Sequence, residues 1–246
     1  MKKIIKSFFQ LFYKVKYKNE YKITRILFFR FKKKIDNECC LINYTNNNKI
    51  IIHNENNKII HNPSKIDGLN VFFAGKDNTL EIFQPCSFLR KNTLNILGDN
   101  CKLTLNKCQL AKVKIDMNNA SICNIDENST VCGYIHIANE KNLSLNIGKN
   151  CMFSGKTAIW CTDGHIIRNK NTNEIINRIK HGVSIGDHCW IGHRAVILKN
   201  TTIRNNTIIG AGSIVSGNFD KENIIIAGNP AKIIKENINW DRKPLD

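Results

Sequence analysis

No Cys-x-x-Cys pair occurs among the ten cysteines of this 246-residue chain. That spacing commonly marks a zinc or dithiol site, so the thiols need another explanation. Long apolar runs are missing from the basic N-terminal segment. Its longest uncharged stretch, Ser7–Tyr13, falls far short of the roughly 20 residues that span a bilayer. No small-residue cleavage site follows, which argues against a secretory signal. Together these absences predict a reducing, cytoplasmic setting without disulfides. No Gly-rich nucleotide-binding domain appears, which excludes a sugar nucleotidyltransferase. Acidic residues are few: 20 Asp and Glu stand against 37 Lys and Arg, a formal charge of +17. Residues 1–36 hold twelve of the basic residues against Glu20 and Asp36. No nucleic-acid motif accompanies this charge, so no nucleic-acid partner is expected. Within it Ile4, Ile5, Phe8, Phe9, Phe12 and Val15 fit one helical face. A basic amphipathic segment over residues 1–34 suits peripheral contact with an anionic membrane surface, at its cytoplasmic side, or packing on the end of the main domain.

What the chain has in abundance is a period of six. Ile185, Ile191, Ile197, Ile203, Ile209 and Val215 recur at every sixth position. Four positions after each comes a small residue, Cys189, Ala195, Thr201, Thr207 and Ser213, with Phe219 as the exception. Neither a helix nor an ordinary strand has this period. A strict hexad marks a parallel β-helix, in which each hexad makes one short strand and one corner. The aliphatic side chain fills a narrow prism and the small residue fits near the corner. Cys101, Cys151 and Cys189 occupy that slot, as small core hydrophobes.

The hexad extends upstream through Ile147, Phe153 and Ile159, and through Ile125, Val131, Ile137 and Leu143; Leu97 and Leu103 suggest an earlier turn. Between Leu103 and Ile125 the register blurs. The organisation read from these patterns is a basic extension over 1–38, an irregular β cap or first coils over 39–96, the β-helix over 97–236 and a short tail over 237–246.

Residues 161–178 break the period, and Ile179 and Val183 restore it. A solenoid gains no stability from an 18-residue excursion, and long loops on rigid scaffolds usually carry function. This one holds Thr162-Asp163-Gly164-His165. An imidazole titrates at about 6.5 and can take a proton from a hydroxyl near neutral pH. Asp163 is near enough in sequence to orient the ring. A surface histidine in a polar loop is the plainer alternative.

The segment from Gly182 to Gly192, the run Ile209-Gly210-Ala211-Gly212-Ser213-Ile214-Val215, and Ala227-Gly228-Asn229-Pro230-Ala231-Lys232 together resemble the hexapeptide-repeat O-acetyltransferases of galactosides, maltose and capsular polysaccharides. The resemblance covers residues 145–236. It implies an all-β, left-handed parallel β-helix, a homotrimer with sites between neighbouring solenoids, and acetyl-CoA as donor with no metal required. It implies that His165 is the general base and Trp190 the aromatic beside the reaction centre. Gly192, His193, Ala211 and Ser216 match cofactor-contacting positions, and Lys232 and Lys235 match the basic positions that meet the CoA phosphates. The chain departs from the family where sugar acetyltransferases carry an acceptor-side Asn, because Tyr134 stands there. Tyr134, His136 and Arg168 are therefore the candidates for acceptor contact.

The implied reaction is direct transfer of an acetyl group to a hydroxyl of a bacterial surface glycan or its lipid-linked precursor. Two rivals remain. A hydratase of the γ-carbonic-anhydrase kind would use His188 and His193, but no third histidine lies near residue 152 to complete a zinc site. A non-enzymatic scaffold for membrane-bound glycan assembly would explain the basic N-terminus but not the histidine loop.

Overall fold

The hexad side chains point inward as their period demands. Ile185, Ile191, Ile197, Ile203, Ile209 and Val215 are all buried, and so are the small residues of the slot from Cys189 to Ser213. Phe219, the exception, is buried too. The hydroxyls in this slot are not orphaned. Thr201 Oγ1 donates to the Leu198 carbonyl at 2.6 Å, Thr207 Oγ1 to Arg204 at 2.8 Å and Ser129 Oγ to Gly148 at 2.6 Å. A buried hydroxyl with an adjacent carbonyl avoids the cost of desolvation.

A computed structural model describes residues 16–18, 21–26, 29–34, 47–53, 59–63, 66–118, 120–137 and 142–244. The chain divides into two units, Met1–Cys40 and Leu41–Asp246. In the first, three antiparallel strands run over Lys16–Lys18, Tyr21–Ile26 and Phe29–Lys34. Where the extension is described it is therefore strand, not helix; the proposed helical face over residues 4–15 lies outside the described residues. Among the described residues no helix is long and apolar enough to cross a membrane.

The second unit is a three-sided parallel β-solenoid. Face I stacks eight parallel strands from Lys49–His53 to Asn218–Phe219, face II seven from Ser87–Leu89 to Ile225–Gly228, and face III seven from Leu69–Phe73 to Ile214–Val215. From strand Thr79–Phe83 onward the chain visits the faces in the order I, II, III, whereas the first coil passes from Lys49–His53 to Leu69–Phe73 with no described strand on face II. One continuous apolar core runs from Ile50 to Ile226. Antiparallel strands cover two sheet edges, Ile59–His61 beside Lys49–His53 and Ala231–Lys235 beside Ile225–Gly228. Covered edges do not template further strand pairing.

The coils thus begin at Lys49 and continue through the region read as a cap or first coils. Their length explains the blurred register. Val183 pairs with Thr201 and Trp190 with Ile208, each 18 residues on. Thr79 pairs with Lys102, 23 on, Lys102 with Ile122, 20 on, and Ile122 with Ser144, 22 on. Extra residues in the turns shift the period without disturbing the stack. Leu97 shows the cost of a strict six: it is exposed, while Leu94 and Ile96 fill the core.

The corners explain another compositional feature. Asn128, Asn150, Asn206 and Asn223 all have positive φ, between 55° and 59°, and His188 holds the equivalent place at 54°. A sharp corner needs the left-handed conformation, which Asn tolerates better than most residues. The abundant asparagine is in part structural.

Candidate functional site

The insertion leaves the solenoid directly after strand Thr157–Trp160 on face III and rejoins at Val183 on face I. It is an ordered arm. The Ile167 carbonyl accepts from the Ile176 amide at 2.9 Å, Glu174 O from Asn169 N at 2.8 Å, and Arg168 bridges to Ile175. Arg168 Nη1 donates to the Asn173 carbonyl at 2.9 Å, so this proposed acceptor contact also closes its own hairpin. His165 is exposed. Gly164 takes the positive φ of 73° that a tight turn into the arm requires, and its N–H donates to Thr162 Oγ1 at 3.0 Å.

Asp163 does not serve the ring. Its carboxylate accepts from Lys199 Nζ and, at 2.8 Å, from Asn177 Nδ2, and no hydrogen bond joins it to the His165 imidazole. Lys199 also donates to the Asn177 carbonyl at 2.8 Å. It lies just beyond Leu198, which pairs with Trp160 one coil earlier. Lys199 therefore ties both ends of the arm to the corner from which the arm springs. This hydrogen bond, opposed by partial burial and aided by Asn177, holds the Asp163 carboxyl below the usual carboxylate range.

Beside the arm, the outer side of face III carries a polar and aromatic patch. Tyr134 and Trp160 meet edge to face, with ring centroids 5.3 Å apart and planes at 81°, a favourable aromatic geometry. The Tyr134 hydroxyl donates to Asp116 Oδ2 at 2.6 Å; Lys114 Nζ reaches the same oxygen at 2.9 Å, and Asn95 Nδ2 donates to Oδ1 at 2.7 Å. Burial works to raise the Asp116 carboxyl, but these donors outweigh it and hold it below its ordinary value. The Tyr134 phenol moves up, from its own burial and from the neighbouring carboxylate. His136 pairs at backbone level with Asp116 and Trp160; its side chain lies outside the described set. Trp160 keeps 38% of its surface exposed.

The proposed cofactor residues gather elsewhere. Trp190 opens strand Trp190–Ile191 on face II, and its Nε1 donates to Ser154 Oγ at 3.2 Å. Gly192, His193 and Ala211 line the corner between faces II and III. A Cβ at Gly192 would sit 2.5 Å from the Ile209 carbonyl oxygen, so only glycine fits there. His193 rises over Gly155, its Nδ1 3.7 Å from where a Cβ would stand. At Gly212 nothing lies within 4 Å of a Cβ position, so the backbone is bare to an extended ligand. Ser216 follows strand Ile214–Val215 at the far side of face III. Lys232 and Lys235 are exposed on strand Ala231–Lys235.

Within one chain, then, the candidates form two groups, with Ser216 falling on the arm's side, stacked above Leu198 and Trp160. The arm springs from the edge between faces III and I, and face II lies across the prism from that edge. Two shallow, open depressions among the described residues, one near Asn47, Gly75 and Asp99 and one over Asn106, Asn124 and Asn146, include none of these residues. The metal reading gains no support from the histidines, because His188 and His193 stand at opposite ends of strand Trp190–Ile191. Among the described residues no three metal-ligating side chains cluster. Reading the sequence missed Lys199, Asp116, Trp160 and Trp240. Trp160 alone left a signal, as the last residue before the insertion.

Comparison with known proteins agrees with this architecture. Residues 182–217 match the model for "Bacterial transferase hexapeptide (six repeats)". A polysialic acid O-acetyltransferase of Neisseria meningitidis is 34% identical over 195 residues, 78% of this chain and 79% of that protein. WbbJ of Escherichia coli K12, assigned to lipopolysaccharide biosynthesis, is 29% identical over 133 residues, 50% of this chain and 65% of its own length. The crystal structure of the polySia-specific acetyltransferase NeuO superposes with a TM-score of 0.65 at 25% identity, covering 80% of this chain and 85% of that one. By repeat, fold and extended similarity, this chain belongs to the hexapeptide-repeat O-acetyltransferases.

Proposed function

We propose that the protein transfers an acetyl group from acetyl-CoA to a hydroxyl of a bacterial surface glycan, with His165 as the general base. The observation that carries this reading is the tethered arm. Among the described residues the stacked coils are interrupted by a long ordered insertion, and that insertion presents an exposed imidazole close in sequence to an aromatic patch. His165 takes the proton of the acceptor hydroxyl as the oxygen attacks the thioester carbonyl. The tetrahedral intermediate collapses, the C–S bond breaks, and the proton passes to the departing CoA thiolate. The new C–O bond leaves an acetyl ester on the sugar. No covalent enzyme intermediate is needed.

Acceptor binding falls to the Tyr134–Trp160 patch with His136, Lys114 and Arg168. A sugar ring stacks on the Trp160 face, while the Asp116 network holds Tyr134 rigid at little entropic cost. An acidic glycan suits the charge of +17, and sialic acid polymers, the acceptors named for two relatives, are the first to test. The donor side is the group on face II and its corner, with Trp190 against the thioester, Gly192, His193 and Ala211 along the pantetheine arm, and Lys232 and Lys235 at the phosphates; Ser216, on the arm's edge, meets the cofactor held on face II of a neighbouring copy. Because arm and face II lie across the prism from each other, each site joins the arm of one copy to face II of a neighbour. A homotrimer closes such contacts symmetrically.

The test uses purified protein, labelled acetyl-CoA and sialic acid polymer, with thiol release and mass spectrometry of the glycan as readouts. His165→Ala loses at least about a hundredfold in turnover while its thermal unfolding and CoA affinity stay at the wild-type level, because the arm lies outside the packed prism. A wild-type protein that releases no thiol with any glycan would favour the scaffold reading; a His165→Ala protein that transfers normally would remove the histidine from the mechanism.

A further inference from the structure

One buried aromatic plays no part in the reaction above. Trp240 lies close to the C-terminus, yet only 7% of its surface is exposed. Its indole stacks on the His188 imidazole, with centroids 4.4 Å apart and planes 9° from parallel, and its Nε1 donates to the His188 carbonyl at 2.8 Å. His188 Nδ1 in turn pairs with Asn206 Oδ1 at 2.8 Å.

The segment around it follows a ladder. The corner between faces I and II carries Asn128, Asn150, His188, Asn206 and Asn223, one per coil. Each amide bonds to a carbonyl of the coil below, as His188 N does to Lys149 O at 2.7 Å and Asn206 N to Asp187 O at 2.9 Å. In the left-handed conformation the corner residue's own carbonyl is left over, and the C-terminal segment uses four of the five. Ile238 N donates to Asn223 O at 3.0 Å. Trp240 takes His188 O. Arg242 Nη2 reaches Asn150 O at 3.4 Å, Asn128 O at 3.2 Å and Cys151 O at 2.7 Å, and Nη1 reaches Thr130 Oγ1 at 3.2 Å. The geometry is self-consistent. Three coil steps at about 4.8 Å each match the roughly 14 Å that four extended residues cover, which is the distance from Ile238 to Arg242 along the chain. The segment is a strap laid across the coils and clasped by one guanidinium.

The strap ends against the donor side of the site. The Trp240 ring lies 5.9 Å from that of Trp190, tilted by 41°, on one side of an indole whose Nε1 is held by Ser154. We propose that the strap Ile238–Arg242 is a positioning element for acetyl-CoA. Trp240, fixed by the corner carbonyls and clasped by Arg242, sets the angle of the Trp190 indole and thereby the wall of the cofactor groove. This rests on the reading of Trp190 as the aromatic beside the thioester. Trp240 itself touches no reactant.

Four full-length variants test it, Trp190→Leu, Trp240→Leu, Trp240→Phe and Arg242→Ala, with CoA affinity measured by calorimetry and KM determined separately for acetyl-CoA and for sialic acid polymer. Arg242 is exposed, so its substitution leaves a folded solenoid even where Trp240→Leu does not. The expected result is a Kd for CoA and a KM for acetyl-CoA raised about tenfold by Trp240→Leu and severalfold by Arg242→Ala, with the acceptor KM unchanged and Trp240→Phe close to wild type. Variants that melt earlier but bind CoA with wild-type affinity would make the strap purely structural and overturn the proposal. Trp190→Leu separates the two levels. If it leaves CoA affinity intact, the donor-side assignment of Trp190 fails and the strap proposal with it; if it weakens CoA binding while Trp240→Leu and Arg242→Ala do not, the strap proposal alone fails.

Discussion

Replacing Lys199 by methionine removes the tether of the histidine arm and keeps the apolar stem that packs at its root. The lost interactions are two. The ion pair with Asp163, whose side chain is 37% exposed, is screened by solvent and contributes about 0.5–1 kcal/mol. The hydrogen bond from the ammonium to the Asn177 carbonyl is shorter in reach of water, because the Lys199 side chain is only 16% exposed, and contributes about 1.5 kcal/mol. Together they hold the arm closed by about 2 kcal/mol, a factor of roughly thirty in the open-to-closed ratio. Amide hydrogen exchange reads this directly at Ile176 and Asn169, whose N–H groups bond within the arm. Their exchange in Lys199→Met accelerates about thirtyfold, while amides of the core strands such as Ile197 are unchanged. Turnover falls with the closed fraction, and the KM for acetyl-CoA does not move. Asp163→Asn, which keeps an oxygen for Asn177 Nδ2, reproduces the smaller part of the effect, and the double variant is no worse than Lys199→Met, since the charge change at Asp163 acts only through the contact that Lys199→Met already removes. Unchanged exchange in the arm, or acceleration spread over the whole solenoid, would refute the tether.

Three further outcomes are expected, two from the geometry of the site and one from the charge of the N-terminal segment. The Asp163 carboxyl, followed by carbon NMR, titrates below the usual value of about 3.9 in the wild type and moves up toward it in Lys199→Met. Because its folded pKa is depressed, the tether is at full strength above the unfolded value and weakens only as pH falls through the folded one, so activity near neutrality owes nothing to this titration. Trp160→Leu raises the KM for the glycan about fivefold, the equivalent of about 1 kcal/mol of lost stacking, and spares that for acetyl-CoA; an unchanged glycan KM would move the acceptor off face III. In flotation with anionic vesicles the full chain rises with the lipid and a chain lacking residues 1–34 stays behind, whereas equal flotation of both would dissociate the basic segment from any membrane role.

The solenoid was legible because its signal is local. Each hexad places its own aliphatic residue in the prism and its own small residue at the corner, so Ile185 to Val215 could be assigned without knowing what lay above or below them. The insertion was legible for the same reason, as the one long break in a period. Where the turns lengthen to 20–23 residues per coil the period misleads, and Leu97 was drawn inward although Ile96 takes that place. A departure from the expected acceptor-side Asn pointed to Tyr134, but not to Asp116, which lies 18 residues earlier.

From the residues alone it follows that the chain coils, where an arm interrupts the coils, and that the arm bears a histidine. Which side chains share a face depends on how the coils stack. Asp163 meets Lys199 at a separation of 36 residues, Trp240 meets His188 at 52, and Arg242 meets Thr130 at 112. Stacking coils of unequal length brings such residues into register, and the left-handed corners leave carbonyls that a distant segment can cap. Neither the length of a turn nor the direction of a spare carbonyl is written in a six-residue repeat, so the tether and the strap emerge only once the coils are laid on one another.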